Sequence, residues 1–204
     1  MNTAADGSTG RRPAAPVGIV LAGGASRRLG LDKALLELRG ASLAAAAAER
    51  LAAVCAEVAV ADRGRGVLPG FPSLPDGLGR GPAAGILGAA AAWPGRPLLV
   101  LACDLPRVPA VLLAELARSE GFDWAVPRWS GGVEPLCALY GPKALRVLAE
   151  RVGRGLLALH GLVDEDALAM RYLEGDRLAR FGEPEEVFFN LNTLEDLERL
   201  RRML

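Results

Sequence analysis

Histidine is nearly absent, with His160 the only one in 204 residues. No serine, cysteine or metal-ligand partner stands near it in sequence, which argues against a Ser-His-Asp or Cys-His nucleophile and gives His160 no role. Cysteine is also sparse. Cys55, Cys103 and Cys137 are odd in number, far apart and free of any C-x-x-C pattern, so neither a disulfide framework nor a zinc site is expected, and a reducing cytoplasm fits best. Net charge is missing too: 24 Lys and Arg balance 24 Asp and Glu. Without a general basic field there is no footprint for nucleic acid, and any anion site must be local. Aromatics make up 5% against 51% hydrophobic residues, so a core must be built from Ala, Leu and Val. Long apolar runs are lacking as well. The longest candidate, residues 83–93, is interrupted by glycine and falls short of the roughly 20 residues a bilayer span needs, so no membrane is expected. Residues 1–16 mix polar residues, Gly and Pro without an apolar stretch and read as a disordered tail, not a signal peptide. The remainder, 17–204, suits one domain.

What is present centres on residues 17–33, Val-Gly-Ile-Val-Leu-Ala-Gly-Gly-Ala-Ser-Arg-Arg-Leu-Gly-Leu-Asp-Lys. The first part is a short apolar run, consistent with a strand buried on both faces. Gly23 and Gly24 follow, and lacking Cβ they let a ligand approach the main chain closely, where consecutive N–H groups can converge on an anion. Ser26 adds a hydroxyl; Arg27, Arg28 and Lys33 add permanent charge. The P-loop and the dinucleotide fingerprint are both ruled out, because neither Gly-Lys-Ser/Thr nor Gly-x-Gly-x-x-Gly is present. Three cations within ten residues of a turn after the first core strand favour a polyphosphate loop over a solvated glycine turn.

The rest of the chain alternates strands and helices. Ser42 is placed to cap a helix over 43–54, and 58–61 reads as a second strand, a β-loop-α-β order that implies a parallel pair. Residues 62–81 form a long Gly- and Pro-rich loop, of the kind that is usually functional or mobile. Pro82 suits the first turn of a helix whose positive end would face that loop's ligand. Residues 97–102 predict a central strand with Asp104 just beyond it. In open α/β sheets ligands gather past the carboxyl ends of the strands, so Asp104 would project into the crevice of the glycine loop and could hold Mg2+, which needs only one or two carboxylates beside substrate phosphates. Its other reading is an N-cap before a helix at 109–118. Strands follow over 122–127 and 131–140, with Gly131 and Gly132 as a turn and Glu134 either an edge charge or a substrate contact. A helix is expected over 142–151. Arg154 is a candidate for acceptor phosphate. Asn192 and Glu195 have capping-box spacing before a charged last helix, which leaves Asn190 the freer site candidate. The fold class is α/β, a Rossmann-like three-layer α/β/α arrangement with a mostly parallel central sheet.

The run from Leu21 to Lys33, Leu-Ala-Gly-Gly-x-Ser-x-Arg-x-Gly-x-Asp-Lys, resembles the signature loop of the molybdenum cofactor guanylyltransferases within the nucleotidyltransferase superfamily. Cys103-Asp104-Leu105-Pro106 is similar to the family's Cys-Asp-x-Pro metal motif. Phe189-Asn190-Leu191-Asn192-Thr193 resembles its closing Phe-x-Asn-x-Asn-Thr-Pro, with Leu194 in place of Pro. Asp76 and Gly81-Pro82 match a nucleotide-contacting Asp followed by Gly-Pro-Leu, with Ala83 replacing Leu. Glu134-Pro135-Leu136 resembles the segment flanking the acceptor.

The resemblance implies that Leu21, Ala22, Gly23, Gly24, Lys33, Asp76 and Asp104 bind nucleotide, that Asp104 holds Mg2+, and that Asn190 and Asn192 meet the acceptor, where Arg154 is the candidate read from the residues alone. It implies Arg28, Lys33 and Asp104 as the catalytic set, GTP as donor and molybdopterin as acceptor. Other molybdenum cofactor biosynthesis proteins and apo-molybdoenzymes are implied as partners. Phosphoryl transfer by positioning and charge stabilisation requires no covalent nucleophile, which agrees with the missing histidine chemistry. Ala61-Asp62-Arg63 departs from the asparagine usual in the family after the second strand. A molybdopterin cytidylyltransferase is therefore one alternative, although Gly23 stands where that branch has Ala. A nucleotide-binding regulatory protein without turnover is another.

Overall fold

The computed structural model describes residues 14–23 and 32–203. Strand β1 (Val17–Leu21) is buried along its whole length. A hairpin of β2 (Glu37–Leu38) and β3 (Ala41–Ser42) turns through Gly40 at φ 83° and leads into α1 (Leu43–Ala52). As the sequence predicts, Ser42 caps that helix, its Oγ accepting from the Ala45 amide at 3.1 Å. Next come β4 (Val58–Ala61), β5 (Ser73–Leu74), α2 (Pro82–Ala92) and β6 (Leu98–Ala102). The second half contains α3 (Ala110–Ala117), β7 (Trp124–Trp129), β8 (Gly132–Val133), β9 (Cys137–Tyr140) and α4 (Pro142–Gly153). It ends with β10 (Met170–Leu173), α5 (Asp176–Ala179), α6 (Pro184–Val187) and α7 (Leu194–Met203). Two-residue β5 lies inside the stretch expected as pure loop.

The main sheet has the order β5-β4-β1-β6-β9-β7-β10, and β8 extends β7 as a hairpin. β5, β4, β1 and β6 are mutually parallel, as are β7 and β10, while β9 runs against both β6 and β7. Apart from the short β8 hairpin arm, one reversed strand, β9, thus sits inside an otherwise parallel sheet. Helix α1 packs against β1 and beside α3, whereas α2 packs against β1 and beside α4, so helices cover both faces. The architecture is the Rossmann-like three-layer α/β/α expected from the alternation of elements.

The paucity of aromatics has a visible consequence in this packing. Gly18 in β1 lies so close to α1 that a Cβ there would stand 3.0 Å from Leu51 Cβ, and α1 presents Ala44, Ala47 and Ala48 to the core. Small residues let helix and sheet approach closely, and contact density replaces side-chain bulk. Trp124 and Tyr140 are the large exceptions, fully buried with ring centroids 5.9 Å apart on adjacent strands. Residues 1–13 of the expected tail lie outside the described residues; Ala15, near its end, accepts from Arg96 Nη2 at 2.9 Å. No helix among the described residues is long and apolar enough to cross a membrane.

Candidate active site

Because β4, β1 and β6 run in parallel register, the segments that follow them emerge at one edge of the sheet. Those segments are Ala22-Gly23, Asp62-Arg63 and Cys103-Asp104. β1 has its chain neighbour β4 on one side and β6 on the other, the switch-point geometry at which such sheets open a crevice. A cleft of about 180 Å³ lies there, lined by Leu21, Gly23, Lys33, Ala61, Arg63, Asp76, Gly81, Pro82, Gly85, Ala102, Cys103, Asp104 and Leu136. Its floor is made of small residues. A Cβ on Gly85 would come within 3.3 Å of both Ala61 Cβ and Leu21 Cδ2, so glycine there lets α2 lie close against β1 and β4 at the cleft.

One end of the cleft is ionic. Lys33 Nζ lies 3.4 Å from Asp104 Oδ2 and donates to Asn192 Oδ1 at 2.7 Å. Asp32 sets Lys33 in place by capping the following 3-10 turn, its Oδ1 accepting from the Ala34 amide at 3.1 Å. Arg65 clamps this corner, pairing with the Asp32 carboxylate and donating to the Ala22 carbonyl at 2.6 Å. The loop carrying Asp104 is shaped from below by Arg50 of α1, whose Nη1 donates to the Leu105, Pro106 and Val108 carbonyls at 3.1, 3.1 and 2.9 Å. Burial raises the Asp104 carboxyl above its usual range, against the pull of Lys33. Asp104 Oδ1 is buried and has no hydrogen-bond partner. A carboxylate oxygen left unpaired in this way at the edge of a cleft suits a hard divalent cation. No cluster of three or more metal-ligating side chains occurs among the described residues, so substrate oxygens and water would complete such a coordination shell.

The carboxyl-terminal segment also reaches this end. The Leu191 amide donates to the Asp104 carbonyl at 2.9 Å. The helix cap falls one residue later than the sequence pattern suggests. Thr193 Oγ1 accepts from the Asp196 amide at 3.1 Å, and Asp196 Oδ2 accepts from the Asn192 and Thr193 amides at 2.9 and 2.8 Å. Thr193 and Asp196 have the same three-residue spacing as Asn192 and Glu195, and the shorter Asp closes the box equally well. The shift releases the Asn192 side chain to hold Lys33. Asn190, expected to be the freer of the pair, has its Oδ1 buried and without a partner.

The opposite end pairs Arg63 with Asp76, Nε to Oδ2 at 3.1 Å. Behind them Asp62 is wholly buried. Its carboxylate accepts from the Gly64 and Val67 amides at 3.1 and 2.8 Å and from Ser73 Oγ at 2.5 Å, which folds the loop after β4 into a fixed shape. The Asp76 loop is docked on α2, with the Gly77 amide donating to the Ala84 carbonyl at 2.8 Å. Gly81, at φ 68°, and Pro82 begin α2 at the cleft wall. From the far side of β6, Glu134 accepts from the Leu136 amide at 3.0 Å, and burial pushes its carboxyl up to about 6.

Of the residues singled out in the sequence, Leu21, Gly23, Lys33, Asp76 and Asp104 line the cleft. Ala22 is buried beside it, its amide bonded to the Ala61 carbonyl at 3.0 Å. Asn192 joins through Lys33. Gly24 and Arg28, with Ser26 and Arg27, lie outside the described residues. Arg154 is exposed at the end of α4 and is not part of the lining. Sequence reasoning missed Arg63, Gly85 and the clamp formed by Arg65. The absence of the asparagine usual after the second strand was the one signal pointing to Arg63.

Comparison with known proteins gives a consistent picture. Residues 18–168 match the family described as MobA-like NTP transferase domain. A probable molybdenum cofactor guanylyltransferase of Pelotomaculum thermopropionicum is 35% identical over 193 residues, covering 91% of this chain and 92% of that protein. The molybdenum cofactor guanylyltransferase of Cereibacter sphaeroides is 34% identical over 195 residues, covering 92% and 96%. Among solved structures, molybdopterin-guanine dinucleotide biosynthesis protein A of Archaeoglobus fulgidus superposes with a TM-score of 0.78 at 25% identity, covering 92% of this chain and 97% of that one.

Proposed function

The chain belongs to the MobA-like NTP transferase domain family, and from that premise we propose that it transfers GMP from GTP to molybdenum-bearing molybdopterin in the cytoplasm, releasing pyrophosphate. The names of the relatives support the substrates. The observation that carries the chemistry is the meeting of Lys33 and Asp104, 71 positions apart in sequence, at the mouth of one cleft.

An acceptor phosphate brings an oxygen that is already anionic, so no general base is required. That oxygen bonds to the α-phosphorus of GTP as the bond from α-phosphorus to the bridging oxygen breaks, and the electron pair leaves with pyrophosphate. Catalysis then consists of alignment and charge neutralisation. Asp104, through its unpartnered Oδ1, would hold Mg2+. A bound Mg2+ supplies positive charge against the triphosphate and leaving group. Lys33 carries three N–H donors; two face Asp104 and Asn192, leaving one for a phosphate oxygen. Asn192, an uncharged acceptor, fixes the ammonium without neutralising it. Gly23 and the residues after it offer main-chain amides, and Arg28 adds charge on the same loop. Arg154, Asn190 and Asn192 remain the candidates for the acceptor side.

Melting curves with GTP, CTP and ATP, with and without Mg2+, test the donor. GTP at a hundred times its dissociation constant should add about 2.7 kcal/mol, a rise of roughly 5–10 °C for a chain of this size. A rise with CTP and none with GTP would sink the guanylyl assignment. Asp104→Asn should keep the fold yet lose at least about a hundredfold in pyrophosphate release; undiminished release would remove the cation from the reaction.

A further inference from the structure

The two ends of the cleft differ in kind, and the end away from Lys33 carries a donor and an acceptor side by side. Arg63 meets Asp76 through Nε alone, at 3.1 Å. Among the described residues neither the Nη atoms of Arg63 nor Oδ1 of Asp76 makes a hydrogen bond. Among the described residues Arg63 is also one of two non-glycine residues with positive φ, at 65°. The backbone of an arginine avoids that region unless its surroundings impose it. Here the buried Asp62 network imposes it, and the result is a side chain that crosses the cleft wall, close enough that a Cβ on Gly23 would lie 3.6 Å from its Nε. Between this pair and the ionic end runs the low floor of Leu21, Ala61 and Gly85, a surface suited to the face of a planar ring.

We propose that Arg63 is the residue that selects guanine, its guanidinium donating to O6 and N7 of the base while the adjacent Asp76 carboxylate accepts from N1–H and the 2-amino group. Guanine shows two acceptors on its O6/N7 edge, a match for the arginine fork, and continues with donors on the neighbouring edge. Adenine places an amino donor where O6 would be. Cytosine has no counterpart of N7 and offers acceptors, not donors, beside its amino group. The alternation on the protein therefore fits one base and opposes the other two. This inference rests on the GTP donor proposed above and adds the side chain responsible for the choice.

The test is titration of the full chain with GTP and with 7-deaza-GTP, which lacks N7, in Mg2+, for the unaltered protein, Arg63→Met and Arg63→Lys. Melting midpoints without nucleotide identify any variant that fails to fold. The unaltered protein should bind 7-deaza-GTP about tenfold more weakly than GTP. Arg63→Met should lose about tenfold for GTP and treat the two nucleotides alike, while Arg63→Lys, which can still donate to O6 or N7 but not as a rigid fork, should fall between. The lysine variant isolates the fork, because it keeps the positive charge. Equal weakening of GTP and 7-deaza-GTP by either substitution, no weakening at all, or no discrimination by the unaltered protein would overturn the assignment of Arg63 while leaving GTP as donor. Preference of the unaltered protein for CTP would overturn the donor itself before any variant is made.

Discussion

Replacing Glu134 with glutamine should stabilise the ligand-free protein at neutral pH and leave it unchanged in mild acid. Burial pushes this carboxyl from 4.5 up to about 6, the Leu136 amide pulling it partly back and the nearby Asp104 adding to the rise. A carboxyl raised on folding binds its proton more tightly in the native state. Stability is therefore lost as pH climbs from the unfolded value near 4.5 to the folded value near 6, and the penalty is complete above that window. At about 1.4 kcal/mol per pH unit, the interval from 4.5 to about 6 amounts to roughly 2 kcal/mol. Glutamine keeps an oxygen for the Leu136 amide and carries no charge, so it escapes the penalty. Thermal melts with chelator present should show the variant higher by roughly 4–8 °C at pH 7.5, with the two curves merging near pH 4.5. A difference of the same size at both pH values would show that the effect is packing and not ionisation, and would refute the reasoning.

The cap at residues 193–196 separates two neighbours that the sequence treats alike. Thr193→Ala should cost about 1 kcal/mol of stability, whereas Asn192→Ala should leave the urea midpoint nearly unmoved and slow pyrophosphate release by loosening Lys33; the reverse pattern would place the cap on Asn192. Gly88→Ala drives a Cβ to within 2.1 Å of the Pro75 carbonyl and should cost at least about 3 kcal/mol in urea unfolding. A tolerated alanine there would mean that the Asp76 loop is not seated on α2.

Much of this architecture was legible because it rests on local signals. The runs that became β1 and β6 are apolar throughout, Ser42 precedes an alanine-rich segment, and Pro82 and Pro142 open helices where a missing amide does no harm. What escaped had little local signal, at most the missing asparagine beside Arg63. β5 is two residues held by pairing with β4, too short to leave a period. Arg63 and Asp76 are brought together by a loop whose shape depends on a buried aspartate, and nothing in residue spacing encodes that. The cap slipped by one residue because two overlapping boxes share one spacing, and in the fold Asn192 is taken up by Lys33 while Thr193 and Asp196 close the box. Lys33 and Asp104 were found despite their separation because each sits in a dense run of its own.

The bond from Lys33 to Asn192 spans 159 positions, and this bears on how the molecule is made. A chain leaving the ribosome can pair β1, β4 and β6 before residue 192 has been synthesised, since these strands hydrogen-bond to one another. At that stage Lys33 can reach Asp104 but has no second hold. On the function proposed above, the nascent protein would own the cleft before Lys33 had both of its holds, and competence would arrive as one of the final events of its birth.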